Sequence, residues 1–259
     1  MLRSAVFWHV FALSGSNAAV GTVGLVQFLP ALALTLVGGA VADAHDRLRI
    51  MRLAQLPYLA SAALLFLATQ SEAISVPLIY AAVFANAAAA AFDSPARQAL
   101  LPSLVPIEAF PRAVTISSTA MALALASGPA VAGLLIWAFG VEAAYGAYGL
   151  LIAVNWIGLR FVRPLRALTE RRAATWQAVR EGLAFVRGSP VVLGCMALDM
   201  FAVVLGSAVA LLPVYANDIL GVGPRGYGLL ASSLELGALA MAVVLVVRRP
   251  VERAGPALL

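Results

Sequence analysis

Long apolar runs follow one another along almost the whole chain, and they constrain its fold more than any other feature. Seven such runs are separated by short charged or turn-forming clusters, at residues 20–42, 53–69, 76–92, 113–139, 143–162, 191–215 and 227–247. A helix needs about 20 apolar residues to cross the hydrocarbon core of a bilayer. Inside a bilayer each segment must pair its own backbone polar groups, which favours helices. The sequence therefore predicts an all-α polytopic membrane protein with about seven full transmembrane helices.

The composition excludes a water-soluble fold and several kinds of chemistry. Hydrophobic residues make up 63% of the 259 residues and charged residues only 11%, whereas soluble domains carry about 25% charged residues. The chain has no lysine, so it has neither the lysine of a Walker A loop for ATP nor a Schiff-base amine. Its basic residues punctuate apolar runs instead of forming a basic face for nucleic acid. Any energy source must be an ion gradient or a partner.

Arginine is concentrated in alternate connectors between the apolar runs. The connectors at 43–52, 93–112, 163–190 and 248–259 carry arginines, whereas those at 13–17, 70–75 and 140–142 carry none. Because cytoplasmic loops collect positive charge, the first full span is predicted to run from outside to inside. Only Arg3 and Arg225 depart from this pattern.

The polar segment 163–189 divides the chain into a bundle at residues 1–162 and the start of a second bundle at 190–259. This linker is predicted to be cytoplasmic. Its apolar residues recur at spacings of three and four, which predicts an amphipathic helix that lies at the membrane interface or is simply a solvated connection; they are Trp176, Val179, Leu183 and Val186.

Both ends of the chain are predicted to be truncated. Residues 1–11 are apolar, but at 1.5 Å per residue they cover only about half of the ~30 Å hydrocarbon thickness. They are predicted to form the last half of a helix. At the opposite end, a short arginine-bearing segment follows the seventh run, and the sequence stops there.

The first arginine-rich connector reads Gly39-Ala-Val-Ala-Asp43-Ala-His-Asp46-Arg47-Leu-Arg49. It resembles the signature loop G-x-L-A-D-R-x-G-R-R between the second and third helices of the major facilitator superfamily. Gly39, Asp43 and Arg47 match, and Arg49 stands close to the position of the last arginine. Glycine permits close helix approach, and a carboxylate facing arginine can form a charge-assisted latch. The resemblance implies that these four residues form a conformational latch.

Further segments resemble the branch of that superfamily that contains bacterial siderophore and macrolide exporters. Residues 92–106, with Asp93 and Arg97, look like the loop after the fourth helix of that branch. Ser127-Gly128-Pro129-Ala-Val-Ala-Gly133 resembles the glycine-proline antiporter motif of the fifth helix, through Gly128, Pro129 and Gly133.

The resemblance implies a twelve-helix fold of two halves, of which this chain would hold the last half of helix one through helix eight. It also implies a proton-coupled exporter of a small amphipathic molecule in the bacterial inner membrane, working by alternating access. Its partners would be the bilayer, the substrate and protons, with no cofactor.

Few ionisable residues fall inside the predicted spans. Asp199 and Glu235 lie among apolar and small residues, and such groups are functional candidates by default. Either is a candidate for proton coupling, or it stays neutral and hydrogen-bonded in a helix contact. Asp93 and Arg97 are interpreted as a structural pair at the end of the fourth helix.

Other interpretations stay open at this point. The polar residues within or beside the spans are predicted either to line a substrate cavity or to hydrogen-bond between helices; they are Asn17, Gln27, Asn86 and Asn155. Two distant histidines and one cysteine offer no metal site. A membrane-embedded enzyme lacks any recognisable nucleophile motif, but Asp93 and Asp199 leave an aspartate-based site open. A truncated chain that inserts without transporting is a third interpretation.

Overall fold

The computed structural model describes residues 1–163, 187–190, 192–195, 197–198 and 211–247. Its first six helices are α1 (Leu2–Ser14), α2 (Asn17–Ala44), α3 (Arg47–Gln70), α4 (Val76–Leu104), α5 (Phe110–Phe139) and α6 (Val141–Phe161), with a 3₁₀ turn at Ile107–Ala109 before α5. A helical turn at Leu212–Val214 and a π-helical turn at Tyr215–Ile219 precede a last helix, Gly223–Val247. The described part of the chain contains no β-strand.

Local chemistry explains where several of these helices begin and end. The Asp46 carboxylate caps α3 by accepting hydrogen bonds from the backbone N–H groups of Leu48 at 2.9 Å and Arg49 at 3.4 Å. Such side-chain acceptors satisfy N–H groups that lack a partner in the first turn. Gly15 ends α1 with a φ of +58°, and Gly140 ends α5 with a φ of +89°. Both are backbone conformations that glycine adopts without strain.

The helices pack around α1, whose Val6, Phe7 and Val10 are almost completely buried. Around it, α2 packs on α4, α4 on α3, and α3 on α6, while α5 packs on the Gly223–Val247 helix. Many large apolar side chains point outward instead, among them Leu25, Phe28, Leu32, Leu150, Leu151 and Val154. An outward apolar surface of this kind is expected of a protein whose solvent is lipid.

Four helical segments of the described part are long and apolar enough to cross a membrane: Asn17–Thr35, Arg47–Gln70, Val76–Leu104 and Ile107–Phe139. The helix α6 adds 21 residues at the predicted position of the fifth span. The prediction of an all-α polytopic membrane fold is thereby confirmed. The predicted amphipathic helix at 176–186 lies outside the described residues.

One element differs from the sequence-based expectation. Residues 93–104 continue α4 instead of forming a loop, although Pro95 and Pro102 lie within them. Alanine, leucine and glutamine are good helix formers, and the Asp93–Arg97 pair has the i,i+4 spacing that supports a helix. The polar residues between Asp93 and Gln98 therefore lie on the same helix as the apolar span before them.

Candidate functional site

A cavity of about 920 Å³ lies among α1, α2, α3, α4 and α6. Small-molecule sites measure roughly 300–1,000 Å³ and are mostly apolar, with a few polar groups that fix the ligand's orientation. Here the apolar wall comes largely from alanines of α4. The polar side chains of the lining are Arg3, Gln27, Thr35, Tyr58, Asn86, Ser94, Gln98 and Tyr148. The cavity thus has the size and the mixed lining of a small-molecule site.

Asn86 is the best-anchored polar group of this cavity. Its amide donates to the carbonyl of Ala82 at 2.7 Å, one turn earlier in α4. Its side-chain oxygen accepts a hydrogen bond from the Tyr148 hydroxyl of α6 at 3.2 Å. Because these bonds come from two helices, they hold the amide in place at the cavity wall. An amide held in this way presents its remaining donor and acceptor capacity to a ligand.

Two of the polar residues named from the sequence, Gln27 and Asn86, line the cavity. Asn155 instead donates a hydrogen bond to Gln55 of α3, and Asn17 is the first residue of α2. The side chains of Gln27 and Tyr58 can each form hydrogen bonds with a molecule inside the cavity that they line.

The alanine run of α4 serves both the cavity and helix packing. Ala87, Ala90 and Ala91 line the cavity. On the neighbouring helix, a Cβ added to Gly38 would collide with the Ala91 carbonyl group, and it would lie 3.3 Å from the Cα of Phe92. Glycine is thus required where α2 crosses α4. By contrast, a Cβ on Gly39, the glycine of the signature loop, would meet nothing within 4 Å.

A second cavity of about 1,070 Å³ continues along α4 toward the connector that leads to α5. It shares Ala90, Ser94 and Gln98 with the first cavity. These residues recur at every fourth position and therefore lie along one face of α4. That connector is predicted to be cytoplasmic, so the two cavities together outline a route along α4 from the middle of the bundle toward the cytoplasmic side.

Asp93 and Arg97 form an ion pair at the second cavity. A guanidinium nitrogen of Arg97 lies 2.7 Å from the Asp93 carboxylate, and the Asp93 side chain is buried whereas that of Arg97 is 54% exposed. The other carboxylate oxygen of Asp93 is buried and has no hydrogen-bond partner in the described part of the chain. The pair has the spacing expected from the sequence, and it also lines a cavity.

The signature loop is held by contacts other than an Asp43–Arg47 pair. Asp43 is exposed, and within the described residues no ion pair joins it to Arg47. Arg47 donates instead to the backbone carbonyl of Ala99 near the end of α4, at 2.6 Å. Arg49 is exposed, and its backbone N–H is capped by Asp46. Arg47 therefore ties the loop to the last turns of α4.

The glycine-proline motif of α5 lies where α5 crosses the Gly223–Val247 helix. A Cβ added to Gly133 would lie 2.7 Å from the Cα of Gly228 and 2.7 Å from the carbonyl oxygen of Pro224. A Cβ on Gly228 would lie 2.8 Å from the Pro129 carbonyl oxygen. The two backbones therefore touch directly, and both glycines are needed for the contact. The role of Gly228 was not anticipated from the sequence.

The two candidates for proton coupling are Asp199 and Glu235. Asp199 lies outside the described residues. Glu235 belongs to the Gly223–Val247 helix, near its middle, but its side chain is likewise outside the described part. Their role stays a prediction.

The sequence did not identify the partners in several polar contacts that join the helices. Asn155 donates to the side-chain oxygen of Gln55 at 3.1 Å. Arg52 donates twice to the Leu159 carbonyl near the end of α6, at 3.3 and 2.9 Å. His9 hydrogen-bonds the buried Tyr145 hydroxyl at 3.0 Å. A polar residue within an apolar span is the available signal for such contacts, but it does not identify the partner.

Comparison with known proteins gives a family match and several relatives. A family model described as transmembrane secretion effector matches residues 1–253. Macrolide efflux protein A of Streptococcus pyogenes is 28% identical over 155 residues, which is 59% of this chain and 38% of that protein. Staphyloferrin A transporter of Staphylococcus aureus is 28% identical over 130 residues, 50% of this chain and 33% of that protein.

Macrolide efflux protein A of Enterococcus faecalis is 30% identical over 139 residues, which is 53% of this chain and 43% of that protein. The matched part of the chain therefore spans less than half the length of each of these three relatives.

Proposed function

Because this chain belongs to the transmembrane secretion effector family of the major facilitator superfamily, we propose that it exports a small amphipathic molecule across the bacterial inner membrane. The observation that carries this proposal is the cavity of about 920 Å³ among five helices. Its apolar wall suits the hydrophobic part of such a molecule, and its amide and hydroxyl groups suit the polar part. The names of the relatives, two efflux proteins and a transporter, support the same function.

Export by alternating access needs two groups of helices that rock against each other around a central site. The crossing at Gly133 and Gly228 suits such a motion, because backbones in direct contact have no side chains between them to obstruct a change of angle. Gly128 and Pro129 belong to the same motif of α5. In this proposal that crossing is the contact about which the helices rock.

The signature loop acts in this proposal as a latch on the cytoplasmic side, through Gly39, Asp43, Arg47 and Arg49. The hydrogen bond from Arg47 to the Ala99 carbonyl supports this role, because it joins the loop to α4 and has to break if the two separate. The linker at 163–189 is proposed to be cytoplasmic as well. The arginines within that linker support this orientation, because cytoplasmic loops collect positive charge.

The energy source in this proposal is the proton gradient, with Asp199 or Glu235 as the coupling carboxylate. A carboxylate inside a span is costly to keep charged, so it gains and loses a proton more readily as its surroundings change. Asp93 remains a structural pair with Arg97, because its carboxylate already has a positive partner at 2.7 Å.

Everted membrane vesicles that contain the full chain test the proposed function. Vesicles energised by respiration should accumulate labelled staphyloferrin A, and a protonophore should abolish the accumulation. Vesicles from cells without the chain provide the background. Accumulation equal to that background, or accumulation insensitive to the protonophore, would contradict proton-driven export.

Two substitutions in the same vesicles test proton coupling. Asp199→Asn or Glu235→Gln should abolish proton-driven uptake, because neither amide can exchange a proton. Asp218→Asn is the matched control, since Asp218 is exposed on the π-helical turn. Uptake that is unchanged in both Asp199→Asn and Glu235→Gln would rule out coupling through these residues.

A further inference from the structure

Arg3, one of the two arginines that depart from the loop pattern, lies near the start of α1. Arg3 and Ser14, the last residue of α1, are 11 positions apart, which corresponds to about 16 Å at 1.5 Å per residue. The hydrocarbon core is about 30 Å thick, and α1 ends at a connector without arginine on the predicted outer side. The predicted orientation thus puts Arg3 near the bilayer midplane, a depth at which a charged side chain is costly and normally faces a cavity or a partner.

At that depth Arg3 lines the cavity of about 920 Å³, and its side chain is exposed. No other charged side chain belongs to the lining in the described part of the chain. Among the described residues the lining contains no carboxylate that would neutralise the guanidinium, and none lies within ion-pairing distance of Arg3. The described part of the lining thus carries a net positive charge, which attracts an anion.

The surroundings of Arg3 hold the guanidinium in place and supply complementary groups. Its carbon lies 5.5 Å from the centroid of the Phe7 ring, one turn further along α1, which is a cation–π arrangement. The lining also provides amide groups on Gln27, Asn86 and Gln98, and these donate hydrogen bonds to oxygen atoms. Arginine binds a carboxylate through two parallel hydrogen bonds, which gives this pair both strength and geometry.

We propose that Arg3 is the anion-binding residue of this cavity and that the cavity takes an amphipathic organic carboxylate rather than an organic amine. The carboxylate contacts the guanidinium, and the apolar part of the molecule lies against the alanine wall of α4. An amine cation in the same cavity would meet a positive charge and, among the described lining residues, no carboxylate. This assignment rests on the proposed export function, because it names the substrate class of the same cavity.

Binding to the purified full chain in lipid nanodiscs tests the assignment with three probes that share one ring system. The probes are pyrenebutyrate, pyrenebutanamide and pyrenebutylamine, and energy transfer from tryptophan to pyrene reports binding. The comparison uses the unsubstituted chain, Arg3→Gln, Arg3→Lys and the control Arg112→Gln. Arg112 is exposed at the start of α5 and lines neither cavity, so its loss changes the net charge equally. Lipid partitioning of each probe is the same for all four proteins and cancels.

The unsubstituted chain and Arg112→Gln should bind the butyrate at least about tenfold more tightly than the amide, as expected for a charge-assisted hydrogen bond. Arg3→Gln should lose this preference while its affinity for the amide stays unchanged, and Arg3→Lys should keep part of it. Equal or tighter binding of the amine would overturn the assignment. So would an equal loss of butyrate affinity in Arg3→Gln and Arg112→Gln, or no binding of any probe.

A second pair of variants distinguishes ligand binding from an internal ion pair. If Arg3→Asp loses the folded protein and Arg3→Asp/Asp199→Arg restores it, Arg3 is a structural partner of an acid and the assignment fails. Transport is scored separately in the vesicles. Uptake without a carboxylate preference overturns the substrate class alone, whereas a carboxylate preference without uptake overturns export and supports the binding site.

Discussion

Two amides join the first half of α3 to the second half of α6. Gln55 is fully buried and accepts a hydrogen bond from Asn155, whereas the Gln55 amide nitrogen has no partner in the described part of the chain. Asn155→Leu would leave the Gln55 amide without its hydrogen bond. We expect this substitution to lower the free energy of unfolding by about 1 kcal/mol, the typical scale of such bonds in membranes.

The double variant Gln55→Leu/Asn155→Leu should recover most of that loss, because it leaves no polar group unpaired. Thermal unfolding in a bilayer mimetic measures both variants. Strictly additive losses would show that the two amides do not depend on each other.

The Asp93–Arg97 ion pair allows a similar prediction about the free energy of unfolding. Arg97→Gln would leave the buried Asp93 carboxylate without its partner. We expect a loss of about 1–3 kcal/mol in unfolding free energy, less than for a fully buried pair because Arg97 is half exposed. Asp93→Asn/Arg97→Gln should be more stable than Arg97→Gln alone. The exposed Arg112→Gln should change stability by less than about 0.5 kcal/mol, and an equal effect of Arg97→Gln and Arg112→Gln would contradict the interpretation.

The contact between α5 and the Gly223–Val247 helix leaves no room for a side chain at Gly133. A methyl group at Gly133 would fall 2.7 Å from backbone atoms of the neighbouring helix, and backbone cannot move aside as a side chain can. Gly133→Ala should therefore lower stability by about 1–3 kcal/mol. Gly158→Ala in α6 is the matched control, since a Cβ there meets nothing within 4 Å. Its effect should be neutral or slightly stabilising, and the two variants behaving alike would contradict the crossing.

The helices themselves were largely predictable from the sequence, because each apolar run has the length and composition of a span. Their limits were less predictable: α4 extends 12 residues beyond the predicted span at 76–92, since the helix-forming residues after Phe92 continue it past the apolar part. Which helices pack on each other was not predictable from the sequence. Gly133 was identified as part of a motif, but its contact with Gly228 depends on which helix approaches α5, and the spacing within one helix does not contain that information.

For the molecule as a whole, the distribution of arginine predicted an orientation and left two exceptions. Arg225 lies with its guanidinium carbon 5.3 Å from the Trp137 ring centroid, and Arg3 lines the cavity. Neither arginine lies in one of the connectors that are predicted to be cytoplasmic. The cavity itself was not predictable, because its polar groups come from five helices whose convergence appears only in three dimensions. Gln27 and Asn86 were identified as candidates, but the sequence did not separate them from Asn155.

The central claim is that the cavity along α4 is the route of an exported molecule. Ala90 lines both cavities, so Ala90→Phe would fill the position that they share. Ala81 is exposed on the same helix and lines neither cavity, which makes Ala81→Phe the matched control. Proton-driven uptake is measured in everted vesicles with equal amounts of inserted protein. The account predicts that Ala90→Phe reduces uptake to background and that Ala81→Phe leaves it unchanged; uptake by Ala90→Phe equal to that of the unsubstituted chain would contradict it.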